Sequence, residues 1–273
     1  RGELIISFSE NLIREGKISE AKAELMEWRP LGERHSTLER ITSRARDITL
    51  GKVLRFQGHF REALTLLERV LEDSLLDDYF EGSGWYRVLL SQVADLYCEL
   101  GQLTRAEGLL LREITPMRER GTTDIATGRR LQMSLAEIYF QRSMYSEAES
   151  LLVGLRQVFS SSGAPDYTAR LYLFHIWVSL ARISHRQSHW EEALSRWRHA
   201  LSALSYLKLG DSSNAGLVQY SIANVLMNTG EVEESKTVLR EAEAKMASEP
   251  RVYWIPLFNS QWHDFIVTSA KPV

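Results

Sequence analysis

The sequence predicts an all-α fold in which one helical hairpin is repeated six times. A small residue recurs at spacings of 42, 43, 42, 45 and 42 residues, at Ala21, Ala63, Ala106, Ala148, Ala193 and Ser235. Apolar residues around these positions recur at i, i+3, i+4 and i+7, which is the pattern of amphipathic helices. The chain has only six prolines, and strong helix formers throughout favour the same class.

The segment from Trp177 to Leu201 is the clearest copy of the hairpin. Its first apolar stripe is Trp177, Leu180, Ala181 and Ser184, and its second is Trp190, Ala193, Leu194, Trp197, Ala200 and Leu201. A short polar break, 186–189, separates the two stripes. Ala181 and Ala193 are therefore expected where the two helices approach each other closely, and the tryptophans fill the space beside them.

Four further columns accompany the recurring small residue. Five residues before it comes a helix break, at Gly16, Gly58, Gly101, Ser143, Ser188 and Gly230. Twelve residues before it, a small residue usually recurs, whereas bulky apolar residues lie three before and four after. The residues that these columns predict to pack the repeats are Gly51, Ala63, Ala94, Ala106, Ala136, Ala148, Trp177, Ala181, Trp190, Ala193, Trp197 and Ala223.

These motifs resemble the tetratricopeptide repeat. The resemblance rests on W-x-x-L-A followed by W-x-x-A-x-x-x-W-x-x-A-L in 177–201, and on similar runs at Val93 to Ala106 and Leu135 to Ala148. The period exceeds the usual ~34 residues and is similar to the long repeats of kinesin light chains and of the MalT-like arrays that end many signal-transducing NTPases. The resemblance implies a right-handed α-solenoid whose first helices line a concave groove.

We predict one continuous solenoid over residues 1–273. Its repeats span approximately 1–35, 36–80, 81–122, 123–165, 166–210 and 211–249. A terminal helix over 250–268 would either cap the last repeat or begin a truncated seventh one. The chain opens R-G-E-L without methionine or a signal-peptide pattern, so we expect a fragment of a longer protein that carries further domains.

Composition limits the partners and the compartment. The net charge of −3 gives no general attraction to nucleic acid or to anionic lipid, and no apolar stretch approaches the ~20 residues needed to span a bilayer. Cys98 is the only cysteine. It excludes an internal disulfide and suits a reducing compartment, so we expect a cytoplasmic location without nucleic-acid or membrane partners.

The sequence offers no convincing catalytic, metal or cofactor site. His185 and His189 are four residues apart, but His189 lies in the break, and no glutamate follows His185 as the zinc motif H-E-x-x-H requires. The run 82–84 lacks the third glycine and the strand of a dinucleotide loop, and no catalytic signature surrounds Cys98. Paired acids begin two second helices, where they favour the positive end of the helix dipole: Glu191, Glu192, Glu233 and Glu234.

A mixed stripe on the first helices is the predicted binding surface. It lies roughly 130° round each first helix from the packing face, at ~100° per residue. Its main members are Lys52, Arg55, Ser91, Asp95, Arg130, Met133, Glu137, Phe140, His175, Val178, Arg182, His185, Tyr220 and Asn224. Equivalent positions in the same columns include Glu10, Ile48, Val88 and Cys98. Such a mixture suits a peptide or helix held by apolar contacts and placed by ionic ones.

Two alternatives remain open for this stripe and for the whole chain. Several of the apolar groups could instead pack between adjacent repeats. Because Asp95 and Glu137 share a column, with Lys52 and Arg182 beyond them, the stripe predicts a ligand that is basic near its middle and acidic towards both ends.

The expected function is a non-catalytic scaffold or sensor for a protein or peptide; the alternative is a structural subunit of a large assembly that uses its outer surfaces.

Overall fold

The computed structural model describes residues 2–14, 16–28, 37–74, 84–123, 125–161 and 166–248. Within them the chain forms twelve helices and no strand, so the predicted all-α class is confirmed. The helices are α1 (Gly2–Arg14), α2 (Ile18–Glu27), α3 (Thr37–Phe56), α4 (Phe60–Ser74), α5 (Gly84–Glu99), α6 (Leu103–Glu119), α7 (Ala126–Gln141), α8 (Tyr145–Ser161), α9 (Tyr167–Arg186), α10 (Trp190–Tyr206), α11 (Ser213–Asn228) and α12 (Val232–Ser248).

Each predicted repeat contains one odd-numbered first helix and one even-numbered second helix. Contacts between Cα atoms divide the chain into two compact units, with the boundary inside α7 between Ser134 and Leu135. The first unit holds α1 to α6 and the start of α7, and the second holds the rest of α7 and α8 to α12. A single domain over the whole chain stays a prediction, and the terminal helix predicted at 250–268 lies outside the described residues.

The six predicted helix breaks all adopt the left-handed backbone region. Their φ angles are 75° at Gly16, 79° at Gly58, 72° at Gly101, 60° at Ser143, 58° at Ser188 and 88° at Gly230. Each break closes the first helix with the same two hydrogen bonds. At the end of α9, for example, the Ser188 N–H donates to the His185 carbonyl at 3.1 Å and the His189 N–H donates to the Ser184 carbonyl at 2.9 Å. This Schellman cap satisfies the last carbonyls and turns the chain into the second helix.

Small side chains lie where the helices of each hairpin come closest. The five alanines of the recurring column have no exposed surface: Ala21, Ala63, Ala106, Ala148 and Ala193. In the sixth repeat the buried hydroxyl of Ser235 donates to the Ala223 carbonyl at 2.7 Å. A Cβ added to Gly51 would lie 2.5 Å from Cδ2 of Leu67. The first and second helices are therefore in direct contact at these positions.

Ten of the twelve predicted packing residues are buried, and two tryptophans are only half-buried. The Trp177 ring stacks on His199 at 4.4 Å between ring centroids, with the Arg156 guanidinium 4.9 Å from the Trp177 ring centroid. The Trp190 ring meets His185 edge-on at 5.2 Å. Indole rings are large and seldom wholly enclosed. Trp177 and Trp190 follow this tendency, whereas Trp197 is completely buried.

Across the described helices, none has both the length and the apolar character that crossing a bilayer would require.

Candidate ligand-binding surface

In the first unit, charged members of the predicted stripe pair with one another. The Arg55 guanidinium of α3 reaches Asp95 of α5 at 2.9 Å and Glu99 of the same helix at 3.3 Å. Asp95 also accepts a hydrogen bond from the Ser134 hydroxyl of α7 at 3.0 Å. Burial acts to lower the pKa of Arg55, but the charges of Asp95 and Glu99 outweigh it and raise that pKa. This network ties three consecutive first helices together.

A second polar link joins α5 to α7 within the same unit. Nε of Arg130 donates to the Ser91 hydroxyl at 2.6 Å, and that hydroxyl donates to the Val88 carbonyl at 2.9 Å. Ser91 is fully buried, whereas Arg130 is half-buried. The bond fixes the stem of Arg130 through one nitrogen only, so its two terminal amino groups are left to face other partners.

The second unit repeats this pairing between α7 and α9. The Arg182 guanidinium donates to both carboxylate oxygens of Glu137, at 2.8 and 3.2 Å, and lies 4.3 Å from the Phe140 ring centroid. His175 and Val178 are buried on the same helix. Burial, with a smaller contribution from the charge of Arg186, lowers the pKa of His185 to about 4. His185 is therefore neutral at pH 7.

These pairs bear on both interpretations of the stripe. Seven of its members are buried, in agreement with packing between adjacent repeats: Ser91, Asp95, Met133, His175, Val178, Arg182 and His185. The carboxylates of Asp95 and Glu137 each already hold an arginine from a neighbouring first helix. This argues against a basic ligand residue at the middle of the stripe, because it would have to displace an arginine whose side chain is at most 9% exposed.

The other seven members are half-buried and keep some exposed surface: Lys52, Arg55, Arg130, Glu137, Phe140, Tyr220 and Asn224. At the α11 end, burial and then the charge of Glu243 raise the pKa of Tyr220. The Asn224 side chain accepts a hydrogen bond from the Asn228 amide at 3.2 Å.

A cavity of about 290 Å³ in the first unit is lined by four consecutive first helices. Its walls come from Glu10 of α1, Ile48, Thr49 and Lys52 of α3, Gly84, Trp85, Val88 and Gln92 of α5, and Thr127 and Arg130 of α7. Five of these residues belong to the predicted stripe. The sequence analysis placed Val88 in the stripe but not Trp85 or Gln92. The three residues lie at i, i+3 and i+7, so helical spacing from Val88 was the signal that could have identified the other two.

Gln92 is the most unusual residue in this wall. The side chain is only 4% exposed, and its Oε1 accepts no hydrogen bond. A buried acceptor without a partner costs about 1–3 kcal/mol. Turning the amide by 180° exchanges its oxygen and nitrogen without changing its shape, so Gln92 can present either a donor or an acceptor to an occupant of the cavity.

The described residues provide no group of three or more His, Cys, Asp and Glu side chains that could hold a metal ion. The Cys98 thiol is buried. The paired acids lie in the first turns of α10 and α12, as expected for helix-dipole partners: Glu191, Glu192, Glu233 and Glu234. Among the described residues, the cavity of the first unit combines open space with apolar, polar and charged walls, as a ligand site requires.

Solved structures of helical repeat proteins are similar to this chain. BtubC (BKLC) from P. vanneervenii matches 92% of the chain and 95% of its own length at 15% identity and a TM-score of 0.64. A kinesin-light-chain structure from Podosopora anserina with nearly identical TPR-like repeats matches 75% of the chain and 95% of its own length, at 18% identity and a TM-score of 0.55.

The quorum sensor NprR, solved in complex with its cognate peptide NprX, matches 98% of the chain and 71% of its own length. The identity is 16% and the TM-score 0.67; the apo form from B. thuringiensis gives the same TM-score. No protein-family model and no curated protein matches the sequence. At such low identities the likeness shows the fold, which is that of tetratricopeptide-like helical repeats.

Proposed function

We propose that this tetratricopeptide-like chain is a non-catalytic module that binds a peptide across the first helices of its first unit. The observation that carries the proposal is the cavity of about 290 Å³ lined by α1, α3, α5 and α7 together. An extended peptide lying across these helices would contact all four. The cavity supplies apolar, hydrogen-bonding and charged groups at once, as peptide sites do.

The structural relatives support this proposal without fixing the ligand. NprR has been solved with a peptide bound, and its fold is shared by nearly the whole of this chain. We also propose that the chain acts as a sensing or scaffolding part of a larger protein.

Peptide selection from a random displayed library tests the proposal. The wild-type chain is expected to enrich a set of related peptides, and Val88→Trp is expected to abolish enrichment by filling the cavity. Val88 is half-buried in the wall, so the larger ring can enter the open space. The matched control is Val153→Trp, which makes the same change at a half-buried position of α8 in the second unit.

Circular dichroism establishes that both variants are folded before they are compared. Enrichment that Val88→Trp removes and Val153→Trp preserves supports the site. If the two folded variants select the same peptides as the wild type, the cavity is not where peptides bind.

A further inference from the structure

The charges around the cavity are arranged by helix. Glu10 on α1 is the only acidic residue in the wall, and Arg130 on α7 and Lys52 on α3 are the basic ones. Within the described residues Glu10 forms no ion pair, and Arg130 bonds only to the Ser91 hydroxyl. The cavity thus has one acid at its α1 edge, an arginine with spare donors at its α7 edge, and a net positive charge.

The order of these helices in space follows their order in the chain. α1 packs against α3, and α3 against α5. The bonds from Arg130 to Ser91 and from Ser134 to Asp95 join α5 to α7. Glu10 and Arg130 therefore lie on the two outermost of the four helices, with the apolar side chains of Ile48, Val88 and Trp85 between them.

We propose that the cavity selects peptides with a cationic group at the α1 edge, bound by Glu10, and a carboxylate at the α7 edge, bound by Arg130. Gln92 lies on α5, one of the two inner helices, where its buried side-chain oxygen without a partner would accept a hydrogen bond from a peptide N–H of the ligand. An apolar residue between the two charges would lie against Ile48, Val88 and Trp85. This inference rests on the proposed function and names the chemistry of its ligand.

The spacing of the ligand charges follows from helix packing. Neighbouring helices lie about 8–10 Å apart, and an extended peptide rises about 3.3 Å per residue. Three such steps separate α1 from α7. The side chains of Glu10 and Arg130 and the two charged side chains of the ligand reach towards each other, which shortens the distance that the ligand backbone must cover. A cationic and an acidic residue that are about four to six positions apart would consequently span the cavity.

Synthetic peptides test the charge pattern directly. The probes are acetyl-Lys-Ala-Leu-Ala-Glu-amide, a longer peptide whose Lys and Glu are six positions apart, and versions of both with Gln in place of Lys, of Glu or of both. Isothermal titration with the full chain measures each Kd. We expect neutralising either end of the better-fitting peptide to weaken binding by about twofold to fivefold, since each ion pair is partly screened by solvent.

Charge-reversed variants make the assignment to residues. Two further probes carry Lys at both ends or Glu at both ends. Arg130→Glu should come to prefer the probe with two Lys, and Glu10→Lys the probe with two Glu. Glu72→Lys and Arg112→Glu reverse charges on exposed positions of α4 and α6 in the same unit, and they should leave the wild-type ranking unchanged.

The outcomes separate this inference from the proposed function. If all the probes bind equally well and Val88→Trp abolishes that binding, peptides occupy the cavity but the charge pattern is overturned. If Val88→Trp leaves probe binding unchanged, peptides do not bind in the cavity and both proposals fail. If no probe binds at millimolar concentration while the library still yields peptides whose enrichment Val88→Trp abolishes, only the charge pattern is overturned. A switch of preference in each charge-reversed variant supports the pattern.

Discussion

Two serines occupy backbone positions that suit glycine. Ser143 and Ser188 end α7 and α9 with φ angles of 60° and 58°, where four other repeats have glycine. A side chain with a Cβ costs roughly 1–2 kcal/mol in this left-handed region. Glycine removes that cost but loses about 0.5–1 kcal/mol through its greater freedom in the unfolded chain.

We therefore expect Ser188→Gly and Ser143→Gly each to raise the free energy of unfolding by up to about 1 kcal/mol. Urea denaturation monitored by circular dichroism measures the change. Ser150→Gly is the control, because Ser150 is exposed inside α8, where glycine should cost about 0.5 kcal/mol relative to serine. A loss of stability in all three variants would contradict the cap geometry.

For individual residues, the sequence predicted which side chains form the stripe but not which side chains they contact. Glu137 and Arg182 share one column of adjacent repeats, so their pairing could have been anticipated from opposite charge alone. The pair of Arg55 with Asp95 joins different columns, and the long arginine side chain also reaches Glu99, one turn further along α5. Such reach between neighbouring helices depends on side-chain rotamers and on loop length, and neither is encoded in the period.

At the scale of helices, glycine has two opposite roles in the second unit. A Cβ on Gly216 of α11 would lie 2.9 Å from the Ala242 carbonyl oxygen of α12, whereas a Cβ on Gly154 of α8 meets no atom within 4 Å. Gly216 thus lets two helices approach each other, and Gly154 only lowers the intrinsic helical preference of α8.

Gly216→Ala should accordingly lower the free energy of unfolding by roughly 1–3 kcal/mol, because α11 and α12 must move apart. Gly154→Ala should raise it by up to about 1 kcal/mol, which is the difference in helix propensity. The same denaturation experiment compares the two variants. Finding equal effects for both would show that α11 and α12 are not in contact at Gly216.

The pairing of helices was the most predictable feature of the chain. The column that contains Ser188 marked the turn, and the column that contains Ala193 marked the close approach; both patterns are local and repeat six times. Trp177 and Trp190 were predicted to pack and are only half-buried: the first ring stacks on His199 and the second meets His185 edge-on. The cavity wall was only partly predictable, since Gln92 is polar and has no counterpart in the repeat pattern.

At the scale of the whole molecule, stability should be distributed over neighbouring interfaces. In helical repeat proteins each repeat contacts mainly the adjacent ones, so a local loss spreads only to neighbours. Helix α10 packs against α9 and α11, and Ala193 is completely buried within its hairpin. This makes Ala193 a suitable position from which to follow such spreading.

Ala193→Leu should overpack the hairpin and cost roughly 1–3 kcal/mol. Amide hydrogen exchange is expected to accelerate in α9, α10 and α11 and to change little in α4. Ala244→Leu, at an exposed position of α12, serves as the control and should alter neither stability nor exchange. Uniform acceleration in all twelve described helices would instead indicate that the chain unfolds as one cooperative body.

The bonds between successive first helices also have a kinetic consequence. Those from Arg130 to Ser91 and from Arg182 to Glu137 bridge only 39 and 45 residues of a 273-residue chain. Contact order is low when partners are this close in sequence, and low contact order accompanies fast folding. Any hairpin can then act as a nucleus on which its neighbours assemble, without a search for distant partners.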